Sequence, residues 1–243
     1  MKITTKTTTK MKNKSKKKDQ DKVNILLKLG IQFGHKKSRR HPSMVPYIYG
    51  KRNDMYIIDI EKFQEKLQEA LKFIQSLIKD NKKIVFIGTK PNVKRYLEKT
   101  AKENDFFYII NRWIGGTLTN FSTIKKRLAH YKELETKEKS DDFEKLSKKE
   151  KRQIIKEREK LDKSWAGLKN MTKLPNALFL FDVPNNYLAI KEAKKKGLSI
   201  IGICDTDANI NQIDYPIPAN DDALPTIKYI MNEVVEIIKK AKS

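Results

Sequence analysis

Apolar positions along the chain follow two rhythms. Short continuous apolar runs at residues 83–88, 106–110, 177–181 and 199–204 read as strands buried on both faces. Between them, apolar residues recur three and four apart. Phe63, Leu67, Leu71, Ile74 and Ile78 make one stripe along a helix that follows a short strand at 55–60. Pro91 suits the first turn of the next helix. A further helix is predicted over 185–196 with Gly197 as its stop, and a closing one over 222–240. Buried strands alternating with helices predict an α/β fold: a parallel sheet flanked by helices on both faces, of flavodoxin or Rossmann type.

One segment breaks the alternation. From 120 to 168, Ile124, Leu128 and Tyr131 form one narrow seam and Ile154, Leu161, Trp165 and Leu168 another. A polar stretch at 139–144 lies between them as a turn, and Ser147-Lys148-Lys149-Glu150 has the form of a capping box. Two such helices with a short connection predict an antiparallel coiled-coil hairpin inserted into the sheet domain. The domain then comprises residues 22–119 and 169–243. Residues 1–21, rich in Lys, Thr, Ser and Asn, lack the apolar side chains to offset ordering entropy and read as a disordered basic extension. Such an extension is either a solvated tail or an arm that neutralises phosphates.

Charge sets the class of partner. The 243 residues carry 53 Lys and Arg against 30 Asp and Glu, a net charge of +23. That excess calls for a polyanion, with nucleic acid first and an acidic membrane surface second. No apolar run approaches the roughly 20 residues of a spanning helix, and residues 1–20 have no secretory apolar core. The single cysteine, Cys204, allows neither an intrachain disulfide nor a multi-cysteine zinc site.

Arg112-Trp113-Ile114-Gly115-Gly116-Thr117-Leu118-Thr119-Asn120 joins the strand at 106–110 to the inserted helices. A cation and an indole suit phosphate contact and stacking, so the segment reads as a binding surface, although Trp113 equally suits a core. Two basic groups are further candidates for nucleic acid: Lys36, Lys37, Arg39, Arg40 and His41, and then Lys51 and Arg52, with Lys90, Lys94 and Arg95 near another strand end.

Ligands of a doubly wound sheet bind beyond the carboxyl ends of its strands. Here those ends carry Gly88-Thr89-Lys90, Asp182 and Asp205-Thr206-Asp207. They contain no phosphate loop, no dinucleotide fingerprint and no nucleophile–histidine set, so an enzyme is not expected. His35, Asp205 and Asp221 or Asp222 form a candidate metal set if His35 folds over the strand ends. One imidazole and two carboxylates suit Zn²⁺ or, with waters, Mg²⁺. The same residues also fit structural roles: Asp222 as a helix cap, Asp205 bonded to loop backbone, His35 in a turn.

Taken together, the blocks Leu29-Gly30-Ile31-Gln32-Phe33-Gly34-His35, Pro46-Tyr47-Ile48-Tyr49-Gly50, Phe86-Ile87-Gly88-Thr89-Lys90, the Arg112–Asn120 run, Gly167-Leu168-Lys169-Asn170-Met171 and Ile217-Pro218-Ala219-Asn220-Asp221-Asp222 resemble the bacterial-type family of small-subunit ribosomal protein two. The resemblance spans residues 25–237. It implies a non-enzymatic ribosomal component near the junction of head and body, touching small-subunit rRNA and neighbouring ribosomal proteins. It further implies support for subunit assembly and initiation, docking of the mRNA-capturing ribosomal protein S-one, and a place in a bacterial or organellar ribosome. Gln32 stands where the family commonly has histidine, Ser43 where it has lysine, and Phe121 where it has tryptophan. The competing classes are a free basic protein acting on RNA or membrane outside the ribosome, and a nucleotide-dependent enzyme using the strand ends.

Overall fold

The computed structural model describes residues 23–242, so the basic extension lies outside the described residues. After helical residues 23–28 come three short strands, β1 (Phe33–Lys36), β2 (Ile48–Arg52) and β3 (Met55–Ile58), which form an antiparallel sheet in the order β1-β3-β2. The strand expected at 55–60 therefore belongs not to the parallel sheet but to a small sheet of its own. Asn53 and Asp54, both at positive φ, form the tight turn between β2 and β3.

Helix α1 (Ile60–Lys79) starts at Asp59, whose carboxylate accepts from Glu61 N and Lys62 N. It buries Phe63, Leu67, Leu71 and Ile74 as its spacing predicts, with Leu77 added. Next come β4 (Ile84–Ile87), α2 (Pro91–Glu103) and β5 (Phe107–Ile109). The inserted segment holds α3 (Phe121–Glu138), a single turn α4 (Asp141–Glu144) and α5 (Lys148–Trp165). The chain then resumes with β6 (Ala177–Leu180), α6 (Tyr187–Lys195), β7 (Ser199–Cys204), β8 (Tyr215–Pro218) and α7 (Leu224–Lys242).

Strands β4 to β8 form one parallel sheet in the order β5-β4-β6-β7-β8. Its two faces are covered separately. Phe86, Phe179, Ile201 and Ile217 pack with α1, α2 and α7; Val85, Leu178, Leu180 and Ile200 pack with α6 and the base of the inserted helices. Alternate residues of each strand thus face alternate layers, which is why these strands are apolar throughout.

In the inserted pair, α3 lies against α5. Ser147 opens α5 with the expected capping box. Polar ties run along the seam: the Tyr131 hydroxyl donates to Asp162, Arg158 Nε lies 2.6 Å from Glu138, and His130 pairs with Glu157. Ile154 and Leu161 are only half-buried, whereas Trp165 is buried together with Ile124, Leu128 and Leu168 in the second core. The base of the pair is therefore part of the sheet domain.

Candidate nucleic-acid interface and strand-end cluster

Two basic groups separated by a short stretch of chain meet around the small sheet. In its register Lys36 lies opposite Met55, and Met55 opposite Arg52. Arg40 and Lys51 both cover the buried Tyr56 ring, at 5.5 and 5.2 Å from its centroid. Lys36, Lys37, Arg39, Arg40, Lys51 and Arg52 are all exposed. Between Phe33 and Asn53 there is no acidic residue to offset them. The outcome is one cationic cluster around the small sheet, with Lys36 and Arg52 in one row on one face and Lys51 and Arg40 over Tyr56 on the other.

The remaining candidates divide. Arg95 and Arg112 are exposed. Lys94 is half-buried, with Nζ 3.2 Å from Asn111 Oδ1. His41 faces inward to the chain: its N–H donates to Thr206 O, and its Nδ1 accepts from Ser43 N. Lys90 is committed to carboxylates, with Nζ 2.6 Å from both Asp221 and Asp222. Trp113 is only 4% exposed, so it is a core residue and not a surface for stacking.

Trp113 belongs to a buried anion cage. Glu192 on α6 is 5% exposed and turns its carboxylate into the 113–119 segment. Oε1 accepts from Gly116 N at 2.7 Å and from the Trp113 indole N–H at 3.2 Å. Oε2 accepts from Leu118 N at 2.9 Å, Thr119 N at 3.1 Å and the Thr119 hydroxyl at 3.2 Å. Burial alone would raise the Glu192 pKa, but these donors outweigh it and hold the group below the usual carboxylate value. Gly116, at φ +90°, supplies the turn that aims its N–H at the carboxylate. Gly116 thus serves a turn around an internal anion, and Arg112 is the exposed cation of this motif.

The second site is where β1 rests on the ends of the parallel strands. A side chain at Gly34 would sit 2.4 Å from Thr206 Cγ2, and His35 N donates to Thr206 Oγ1 at 2.8 Å. This close approach brings His35 Nδ1 to 3.8 Å from Asp205 and 3.9 Å from Asp222, with Nε2 3.3 Å from Asp207. One ligand atom each from His35, Asp205 and Asp221 lies within 4.8 Å of the others. Asp182, Asp205 and Asp221 are buried, and Lys90 bridges Asp221 to the exposed Asp222.

Electrostatics follow from that crowding. Burial first, and then the neighbouring Asp205, push Asp221 up to about 8; burial raises Asp205 as well. The hydrogen bond to Asp207 leads the causes that raise His35 to about 9. Cys204 beside them is pushed up by burial, as an inert thiol would be. Buried carboxylates in excess of cations, with an imidazole among them, form a donor set that fits a divalent ion. Gln32 takes no part: its Nε2 donates to Leu27 O. Asp207 was not singled out as a ligand from sequence, although it stands in the same Asp205-Thr206-Asp207 run.

No helix among the described residues is long and apolar enough to cross a membrane. A model of the ribosomal protein S2 family matches residues 26–241. The small ribosomal subunit protein uS2 of Coprothermobacter proteolyticus is 41% identical over 217 residues, covering 89% of this chain and 81% of that protein. The match runs through the small sheet, the inserted helices and the strand-end cluster alike: the chain belongs to the ribosomal protein S2 family, structural proteins of the small ribosomal subunit and not enzymes.

Proposed function

We propose that the cationic cluster around the small sheet binds small-subunit rRNA, with Lys36, Lys37, Arg39, Arg40, Lys51 and Arg52 neutralising phosphates and Arg95 and Arg112 adding outlying contacts. The observation that carries this reading is the convergence of six exposed cations, without an acid in the intervening chain, on the small sheet and the turn that follows its first strand. Shape and phosphate contact dominate, because duplex RNA hides its base edges in a narrow groove. The inserted pair acts as an antiparallel coiled-coil arm toward neighbouring ribosomal proteins and rRNA, near the junction of head and body. There the protein supports subunit assembly and initiation, and it offers a surface for protein S-one. Competition between wild-type protein and R39E/R40E for incorporation into reconstituted small subunits tests the cluster. The variant should be outcompeted severalfold, and equal incorporation refutes the assignment.

The strand-end cluster adds a second reading: His35, Asp205 and Asp221 hold a divalent cation, Zn²⁺ or Mg²⁺, as a structural clamp between the small sheet and the parallel one. The ion would supply charge neutralisation where Lys90 and His35 face the buried Asp205 and Asp221 and the exposed Asp222. Elemental analysis of purified small subunits, paired with thermal melts of the free protein before and after chelation, tests it. Stoichiometric metal lost on D205N substitution is expected; metal content unchanged in that variant refutes the site.

A further inference from the structure

The small sheet carries two exposed aromatics that rRNA phosphate binding leaves unexplained. In the register of β2 and β3, Ile48 lies opposite Ile58 and Gly50 opposite Ile57, so Tyr49 is the extra residue of a β-bulge. A bulge re-aims a side chain out of the regular pleat. Tyr49 is 82% exposed, far more than a ring of that size needs for packing. Phe33, 40% exposed, lies opposite the same Ile57 from the other side, through β1. Residues directly opposed in an antiparallel register share a face. One row across this face therefore reads Phe33, Ile57 and Gly50, with the unpaired, exposed Tyr49 next to Gly50, and the next row reads Lys36, Met55 and Arg52.

We infer that Tyr49 is a stacking platform for unpaired nucleobases of small-subunit rRNA, with the exposed Phe33 ring across β3 and with Lys36 and Arg52 on the adjoining phosphates. The inference rests on the reading of this sheet as an rRNA-binding face and names what that face recognises. An open aromatic on an antiparallel sheet bordered by cations is the chemistry by which proteins hold splayed, single-stranded bases. The absence of acidic residues from Phe33 to Asn53 favours a polyanion over a protein of mixed charge. Tyr56, by contrast, is buried under Arg40 and Lys51 and offers no ring face, which assigns the stacking to Tyr49.

The test uses the full chain in reconstituted small subunits. A photoreactive benzoylphenylalanine at position 49 should crosslink to an rRNA nucleotide. In parallel, base-specific chemical probing should show one or two unpaired bases protected by wild type and Y49F but reactive with Y49A, while backbone cleavage protection persists. Affinity of Y49A for the protected rRNA fragment should fall between about 5-fold and 150-fold, the range of one stacked base. A crosslink to a ribosomal protein or to the chain's own residues 1–22 overturns the inference, as does unchanged base protection in Y49A. If wild type binds the fragment with steep salt dependence and Y49A matches it, only the platform is lost. If wild type itself shows no rRNA protection on this face, the rRNA-binding reading falls with it.

Discussion

Removing the carboxylate of Glu192 gives the sharpest test of how the 113–119 turn is held. In E192A the N–H groups of Gly116, Leu118 and Thr119, the Thr119 hydroxyl and the Trp113 indole lose their acceptor together. Gly116 and Thr119 are half-buried, and water can replace their partner at little cost. Leu118 and Trp113 are buried, so their donors are left without one. An orphaned buried donor costs about 1–3 kcal/mol, so two of them place the loss near ~4 kcal/mol. That is a large share of the ~5–15 kcal/mol that stabilises a domain. Urea denaturation should show a lower midpoint with an unchanged slope. Hydrogen exchange should accelerate at Leu118 before it does in β4 or β6. E192Q, which keeps one acceptor oxygen, should fall between. The pH dependence has a definite sign: a folded-state pKa held below the unfolded value near ~4.3 contributes stability that is complete above that value and lost as pH falls through the folded one. A loss below about 1 kcal/mol in E192A, or exchange unchanged at Leu118, refutes the cage as the holding element.

Other substitutions probe the remaining joints. G116V places a β-branched residue at φ +90° and should cost more than about 1 kcal/mol while leaving the circular-dichroism signal of the sheet domain intact; loss of that whole signal contradicts the local role. G167A sets a methyl 2.2 Å from Tyr108 O and should destabilise by about 1–3 kcal/mol or more, read by thermal melting; a melt equal to wild type means the 166–168 turn shifts freely. Deleting 122–165 strips Ile124, Leu128 and Trp165 from the second core and should yield an aggregation-prone protein, whereas excising 133–157 with a short linker should preserve a cooperative melt and lower retention on small subunits. Equal melts for the two deletions contradict a core role for the base of the pair.

Much of the parallel sheet is legible in sequence because its strands are buried on both faces. The run at 199–204 coincides with β7, and Pro91 and Gly197 mark helix ends as their backbone chemistry dictates. Strand β8 escapes that reading because Pro216 and Pro218 interrupt its pattern; prolines are tolerated there since β8 is the sheet edge. Of the small sheet only β3 is legible, as the short strand at 55–60; β1 and β2 escape, being four or five residues long and interrupted by register shifts that erase the alternation. Trp113 reads as a surface residue only while its partner is unknown: Glu192 lies 79 positions away and looks, in sequence, like one more charge on a lysine-rich helix. His35 and Asp205 come together as topology suggests, because ligands gather at the carboxyl ends of parallel strands. Lys90 does not follow its charge to the surface, since nothing local reveals that Asp221 and Asp222 will receive it.

The seam between β1 and the loop after β7 also fixes the order in which the molecule can be completed. Residues 29–41 are fastened by partners that lie near the other end of the chain: Thr206 takes the N–H groups of His35 and His41, Asn220 reaches back to Gly30 and Ile31, and Thr226 bonds Leu29. During synthesis the small sheet emerges first, yet its seam to the parallel sheet cannot close until residues past Thr226 have followed. Contacts this distant in sequence form slowly and late. A nascent chain therefore carries these lysines and arginines on an unanchored small sheet, and only the finished protein holds them in a fixed place against the parallel one.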